Sequence, residues 1–306
     1  MDRNQSPSGT YKYNYMSLTP EPIFDIQATH GEGPVWDEIL QELYWVDIPE
    51  GQYYKGNMLT GNAATFVVGQ DLGVLALREK GGIVMGVRDG FGLYDEQSQQ
   101  LQLIEPSPEQ ENALVRFNDG AVDPFGRFLA GTMAYDEVSC LGKLFSLASD
   151  QSWETLEHDL YITNGMAWNK TGDQFYMIDT LQHCVFAYDY DPATGLISSR
   201  KRYIEFPKTI YPDGMCTDSE DGFWIAFYGL GKVIHYDSAG NQIEEIVVPA
   251  PHTTSCCFGG ENLQTLFITT SRRDLDAQQR KTYPLAGYTF RVETGIKGKI
   301  EPRFHG

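Results

Sequence analysis

Four acidic or amide residues, each followed by glycine, recur along the chain and could do chemistry together. They are Glu32, Asp119, Asn164 and Asp213. Any one of these pairs is typical of a turn, because Asp, Asn and Gly are common turn residues. Their nearly regular spacing instead predicts that the side chains converge. Carboxylates gathered at one place are stable only beside a neutralising cation, so the pattern predicts a metal site.

The donor types restrict the choice of metal. Carboxylate and amide oxygens are hard ligands that suit Ca²⁺, Mg²⁺ or Mn²⁺, although Zn²⁺ or Fe²⁺ could occupy the same site. We expect one divalent cation and leave its identity open among these five. Three protein ligands would leave coordination positions open, as in catalytic sites that polarise a carbonyl or activate water. Arg116 lies three residues before Asp119, and its guanidinium group could bind substrate oxygens.

Short runs of β-branched and aromatic residues, broken by Gly, Asp, Asn or Pro, must position these side chains. Six similar runs lie at 42–47, 82–87, 126–131, 174–179, 222–226 and 265–269. The points taken as equivalent, Gly33, Gly73, Gly120, Gly165, Gly214 and Ser255, are separated by 40, 47, 45, 49 and 41 residues. This period predicts an all-β, six-bladed β-propeller with four antiparallel strands in each blade around a central channel.

The repeats set the expected domain organisation. Residues 1–18 lack strand or helix periodicity and are predicted to form a flexible N-terminal extension. Residues 19–306 are predicted to form a single propeller domain, because one blade cannot bury both of its faces alone. Residues 21–26 read as a strand that completes the last blade and closes the ring.

Composition excludes several classes of partner. Acidic residues outnumber basic ones by 42 to 23, and the net charge of −19 repels nucleic acids and anionic membranes. No apolar run approaches the length of a membrane span, and no apolar stretch typical of a secretion signal follows residues 1–5. The five cysteines are odd in number and lie in apolar segments, which favours reduced thiols. We expect a cytoplasmic protein that is a monomer or a weak homo-oligomer.

The sequence resembles the family of gluconolactonase, regucalcin (senescence marker protein) and luciferin-regenerating enzyme. The resemblance extends from about Pro20 to Gly306. The motifs that carry it are Gly31-Glu32-Gly33-Pro34-Val35-Trp36, Tyr44-Trp45-Val46-Asp47-Ile48, Arg116-Phe117-Asn118-Asp119-Gly120, Val122-Asp123-Pro124, Gly131-Thr132-Met133, Thr163-Asn164-Gly165-Met166-Ala167-Trp168, Pro212-Asp213-Gly214-Met215, Thr254-Ser255-Cys256-Cys257-Phe258-Gly259-Gly260 and Gly295-Ile296-Lys297-Gly298. It implies a six-bladed propeller that binds one divalent cation and hydrolyses sugar lactones.

Carried over position by position, the resemblance makes Glu32, Asn164 and Asp213 the metal ligands, with Asp213 also the general base. Activation of the water by metal coordination alone stays open as the alternative. Arg116 and Asn118 become substrate-binding residues. The repeat spacing favours Asp119 at that point, whereas the family pattern favours its neighbour Asn118, and we follow the family.

One departure from the family pattern affects the substrate. After Gly131-Thr132-Met133-Ala134 the family commonly has a glutamate, and here the chain has Tyr135-Asp136. We assign Asp136 a substrate contact in its place. His30 and His252 are further candidates for positions near the substrate.

Three functions remain open at this stage. The first is a gluconolactonase-like hydrolase that opens a sugar lactone to the aldonic acid. The second keeps the fold and the metal but acts on another ester or an organophosphate, as diisopropylfluorophosphatase does. The third is a non-enzymatic, Ca²⁺-binding propeller, against which an open metal site argues.

Overall fold

The computed structural model describes residues 18–306, and this part of the chain is almost entirely β-strand. The predicted N-terminal extension lies outside the described residues except for Leu18, which packs on a core cluster. Strand β1 (Glu21–Ile23) comes first and pairs antiparallel with the last strand of the chain. No helix in the described range is long and apolar enough to cross a membrane.

The next sixteen strands form four separate antiparallel sheets of four strands each, in simple chain order. The first sheet contains β2 (Gly31–Asp37), β3 (Glu42–Asp47), β4 (Gln52–Asn57) and β5 (Ala63–Val67). The second contains β6 (Leu72–Leu77), β7 (Ile83–Val87), β8 (Gly90–Asp95) and β9 (Gln100–Leu103). The third contains β10 (Val115–Val122), β11 (Phe128–Ala134), β12 (Gly142–Leu147) and β13 (Trp153–Leu160). The fourth contains β14 (Thr163–Trp168), β15 (Gln174–Asp179), β16 (Cys184–Tyr190) and β17 (Ile197–Glu205).

The remaining strands form one eight-stranded sheet that consists of two four-stranded sets. One set contains β18 (Tyr211–Thr217), β19 (Phe223–Tyr228), β20 (Lys232–Tyr236) and β21 (Gln242–Val247). The other contains β22 (His252–Gly259), β23 (Thr265–Ser271), β24 (Thr289–Glu293) and β1. A single residue pair, Tyr228 with His252, joins the sets. A 3₁₀ turn (Thr180–Gln182) and helix α1 (Ala277–Thr282) lie between strands.

The position of each strand in its unit explains its residues. Middle strands such as β7 and β23 are buried along their whole length and consist of apolar and small residues. Outer strands such as β17 and β21 carry charged residues and are largely exposed. Charged edge strands oppose edge-to-edge pairing with other molecules. Aromatic side chains, among them the fully buried Trp45 and Trp224, fill the core.

The first strands of the six units, which we call the inner strands, share one irregularity near their beginnings. Each contains a β-bulge with one extra residue relative to its partner strand. The register shifts lie between Glu32 and Val35, Leu72 and Val74, Phe117 and Asp119, Asn164 and Met166, Pro212 and Met215, and Thr253 and Cys256. A bulge bends a strand and redirects a side chain, and such bulges are common beside functional sites.

The C-terminal tail, residues 297–306, crosses the opposite ends of the same strands. It contacts the ends of all six inner strands or the turns that follow them, through bonds of Arg303 to Asp37, Phe304 to Leu77, His305 to Gly126, Lys299 to Trp168, and Gly298 to Asp218 and Leu263. We call this the tail end of the inner strands and the bulged end the carboxylate end. The tail therefore ties the six units together on one side only.

Candidate functional site

The bulges bring the predicted site residues together at the carboxylate end. Glu32, Asn164 and Asp213 each lie at the bulge of a different inner strand, and all three are buried. The glycines that follow lie within strands rather than in turns. A Cβ atom on Gly165 would lie only 2.9 Å from the Asp213 carbonyl oxygen, so this glycine allows two inner strands to approach closely.

Two buried carboxyl groups form the centre of the site. The carboxyls of Glu32 and Asp213 lie within hydrogen-bonding reach of each other. Burial raises the pKa of Glu32 well above its usual value, and the charges of Asp213 and Asp119 raise it further. Burial likewise raises the pKa of Asp213, together with the charge of Asp119. A cation bound between two such carboxyls would stabilise their ionised forms.

A chain of hydrogen bonds fixes the third candidate ligand. Asn118 donates to the Asn164 side-chain oxygen at 3.0 Å, and Asn164 donates to the Thr180 hydroxyl at 2.8 Å. Thr180 in turn donates to the carbonyl of Pro212 at 2.7 Å, beside Asp213. These bonds orient the amide oxygen of Asn164. Sequence reasoning missed Thr180. It follows the second strand of its unit and does not share the spacing of the acidic and amide residues that precede glycine.

Arg116 lies beside the same network. Its Nη1 donates to the side-chain oxygen of Asn118 at 2.8 Å and to the carbonyl of Phe117 at 3.0 Å. The guanidinium is buried, and its charge lowers the pKa of Asp213. A buried guanidinium held by neutral partners keeps its charge available for an oxygen-rich substrate.

The bulge in β10 explains why repeat spacing and the family pattern selected different neighbours. Asn118 is the extra residue, and it bonds to Asn164 in the next unit. Asp119 accepts instead from the amides of Gly120 and Gly165, and it lines a cavity toward the tail end. Burial raises the pKa of Asp119 to about 7. The structure thus places Asn118 within the network of site residues.

Asp136 lies away from this network. It is exposed, and its carboxylate accepts from the amides of Val138 and Ser139 and from the Ser139 hydroxyl, all within its own loop. The neighbouring Tyr135 donates to Asp71 at 2.5 Å, and both lie within electrostatic range of Arg116. Glu137, Tyr135 and Asp71 thus act on Arg116 through their charges, whereas the Asp136 carboxylate bonds within its own loop.

Two histidines and a tyrosine line the other side of the carboxylate end. His30 bonds to the Ser271 hydroxyl at 2.9 Å, and His252 stacks on Tyr228 with ring centroids 4.1 Å apart. Burial lowers the pKa of His30 to about 3, and the positive charges of Arg116 and Arg273 add to the effect. His30 is therefore neutral near pH 7, as is required of a residue that packs beside a cationic group.

The donor set at the carboxylate end fits a hard divalent cation. Oε1 of Glu32 is buried and has no hydrogen-bond partner among the described residues. A buried carboxylate oxygen without a partner is costly unless a cation binds it. Within residues 18–306 no group of three or more His, Cys, Asp or Glu side chains is placed to hold a metal. The candidate set is instead two carboxylates and the amide of Asn164.

Comparison with known families supports this description of the fold. A family model described as SMP-30/Gluconolactonase/LRE-like region matches residues 30–272, which include all six bulges. The chain belongs to this family. Alignments with individual relatives cover about nine-tenths of the chain.

Two curated members of the family and one solved structure illustrate the relationship. Regucalcin from Sus scrofa is 36% identical over 277 residues, which cover 88% of this chain and 92% of that protein. A 6-deoxy-6-sulfogluconolactonase from Pseudomonas putida is 33% identical over 278 residues, which cover 90% and 95%. The structure of a calcium-binding protein, regucalcin, from Agrobacterium tumefaciens has a TM-score of 0.91 at 26% identity and covers 94% of this chain and 98% of its own.

Proposed function

We propose that this member of the family is a divalent-metal-dependent hydrolase that opens a sugar lactone to the aldonic acid. The observation that carries the proposal is the pair of buried, mutually close carboxyls of Glu32 and Asp213, in which Oε1 of Glu32 has no hydrogen-bond partner within residues 18–306. The family includes a relative named for lactonase activity, and a solved neighbour is titled a calcium-binding protein. We further propose that the six four-stranded units are the blades of one six-bladed propeller domain.

In the proposed site, Glu32, Asn164 and Asp213 hold the cation. Bound there, the cation would act as a Lewis acid toward the lactone carbonyl and would lower the pKa of water. The oxygen donor set favours Ca²⁺, Mg²⁺ or Mn²⁺ over softer metals.

The chain's own groups supply positioning and proton transfer. Arg116 and Asn118 hold substrate oxygens, because they combine a guanidinium with an amide at one edge of the site. A carboxylate oxygen of Asp213 accepts a proton as water adds to the carbonyl carbon, and the same oxygen returns a proton to the ring oxygen when the C–O bond breaks. The product is the open hydroxy acid. The raised pKa of Asp213 suits a group that both accepts and returns a proton.

The test uses metal-stripped protein resupplied separately with Ca²⁺, Mg²⁺, Mn²⁺, Zn²⁺ or Fe²⁺. Aldonolactones and one organophosphate serve as substrates. We expect metal-restored lactone hydrolysis that is absent in Asp213→Ala and retained in Glu154→Ala, a control on the exposed face of β13. Hydrolysis of the organophosphate but of no lactone would show that the substrate is an organophosphate and not a sugar lactone. Cation binding by folded protein without any turnover would contradict the enzyme assignment.

A further inference from the structure

Two cysteine thiols from different units lie in contact. Cys216 in β18 and Cys256 in β22 have their sulfur atoms 3.7 Å apart, within hydrogen-bonding distance. The Cys256 sulfur also donates to the carbonyl of Trp224 at 3.3 Å. All five cysteines of the chain are free thiols in the structure. The contact thus links two adjacent inner strands through reduced sulfur.

The backbones of these two strands are close enough for a covalent link. A Cβ atom on Gly214 would lie 2.7 Å from the Cα atom of Ser255, so the strands nearly touch two residues before Cys216 and one before Cys256. Disulfides span Cα separations of about 4.4 to 6.8 Å. The close approach of the two strands and the sulfur separation of 3.7 Å are both compatible with such a link.

A cavity of about 420 Å³ gives small reagents access to the pair. It lies among the inner strands toward the tail end, and its lining includes Cys216, Cys256, Asp119, Lys299 and Glu301. Cys216 is half-buried, whereas Cys256 is buried. The neighbouring Cys257 packs into a separate apolar cluster with Trp36 and Phe267 and does not line the cavity. The cavity therefore favours attack at Cys216 first.

From this arrangement we infer that Cys216 and Cys256 form an oxidation site, at which hydrogen peroxide that enters the cavity converts the dithiol to a disulfide. The Cys216 sulfur attacks one peroxide oxygen, the O–O bond breaks, and sulfenic acid and water result. The Cys256 sulfur then attacks the sulfenic sulfur, the S–O bond breaks, and a second water leaves as the S–S bond forms. The two thiols supply the two electrons that reduce the peroxide.

Oxidation would also act on the carboxylate end. Cys216 follows Asp213 by three residues across the bulge of β18, and a disulfide would draw sulfur atoms now 3.7 Å apart to about 2.05 Å. A ligand displaced by a fraction of an ångström loses metal affinity and turnover. This consequence rests on the proposed function, whereas formation of the disulfide does not.

The experiment treats folded protein with hydrogen peroxide and measures the intact mass, the number of free thiols and a non-reduced tryptic map. Burial raises the pKa of Cys216, so the reaction will be slower than at a cysteine with an activated thiolate. We expect a loss of two hydrogens and of two free thiols, both reversed by dithiothreitol. The map should show peptide 209–232 joined to peptide 233–272, with fragmentation that assigns the link to Cys256.

Two variants serve as controls. Cys216→Ser should abolish the cross-link, and Cys140→Ser, which changes a half-buried thiol elsewhere, should retain it. If Cys216→Ser does not fold, the wild-type map alone decides the question. A link between Cys256 and Cys257, over-oxidation of Cys216 without a cross-link, or retention of all five thiols would each overturn the inference. Lactone turnover measured on the same samples tests only the effect on the carboxylate end.

Discussion

Buried carboxylates occupy both ends of the inner strands, but their surroundings differ. At the tail end, Asp218 follows β18 and accepts from the amides of Glu220 and Gly222, from the indole of Trp224 and from His235. Burial alone would raise its pKa, yet these donors lower it to about 2. At the carboxylate end, burial raises the pKa of Asp213 well above its usual value.

The comparison separates structural acids from functional ones. Asp218 has all its hydrogen-bond needs met by the protein and stabilises the fold while ionised. Glu32 and Asp213 are short of donors and repel each other, which destabilises the fold unless a cation binds. Functional sites are commonly less stable than the rest of a protein, because their residues are arranged for a ligand rather than for folding. Within the part of the chain that the structure describes, the C-terminal tail bonds to the tail end of the inner strands and not to the carboxylate end.

The largest effect is expected from Asp213→Asn. The change removes a proposed ligand and base, and we expect lactone turnover to fall about 100- to 10,000-fold. It also removes a buried charge beside Glu32, so the free energy of unfolding of metal-free protein should stay constant or rise. Parallel kinetics and chemical denaturation measure both quantities. A variant that loses stability and activity together would place Asp213 with the structural acids.

A large loss of stability, without an effect on catalysis, is expected from Phe304→Ala in the tail. Phe304 is fully buried and packs 6.5 Å from the ring of Phe128, so its truncation should cost about 3 to 5 kcal/mol of unfolding free energy. Turnover of the remaining folded protein should change little. Ile300→Ala, at an exposed tail position, is the matched control and should leave the denaturation midpoint unchanged. Equal losses in the two variants would contradict a specific role for the buried ring.

A smaller, pH-dependent effect is expected from Asp218. Its folded pKa of about 2 lies below the usual 3.8, so its stabilisation is complete above about pH 4 and is lost as the pH falls toward 2. The shift corresponds to about 2 kcal/mol. Asp218→Asn should lower the free energy of unfolding by about this amount at pH 7 and flatten its acid dependence. Denaturation curves from pH 2 to 7 provide the measurement, and an unchanged acid slope would refute the assignment.

The repeat pattern predicted much of the fold because strand residues recur at fixed spacing. The run at 174–179 coincides with β15, and the strand expected at 21–26 is present over its first half as β1 (Glu21–Ile23), paired with β24. The all-β prediction and the family assignment are confirmed. The bulges could not be predicted, because inner strands such as β6 and β14 are buried on both faces and lack the alternation in which an extra residue would show.

Site residues with no repeat in the sequence were harder to predict. Thr180 and the Cys216–Cys256 contact depend on how neighbouring units pack, which spacing along one chain does not encode. The substrate contact of Asp136, at a position where the chain departs from the family pattern, stays a prediction, and in the structure its carboxylate accepts local hydrogen bonds from Ser139. A short acidic side chain in a loop commonly bonds its own backbone, and this local preference competes with any longer contact. The ligand roles of Glu32, Asn164 and Asp213 stay predictions.

The smallest effect is expected from Arg116→Lys, which keeps the charge at the carboxylate end but removes the planar fork. The lysine cannot reproduce the bond of Nη1 to Asn118 together with bonds to substrate, so we expect KM for the lactone to rise about tenfold and kcat to change less. Arg273→Lys is the control, because Arg273 is partly exposed and paired with Glu137 at 2.7 Å. Its KM should change less than that of Arg116→Lys. If both variants raise KM equally, the carboxylate end attracts substrate by positive charge in general, and Arg116 makes no specific contact. If Arg116→Lys lowers kcat alone, the guanidinium acts on the transition state rather than on substrate binding, and the division between binding and proton transfer at this end must be redrawn.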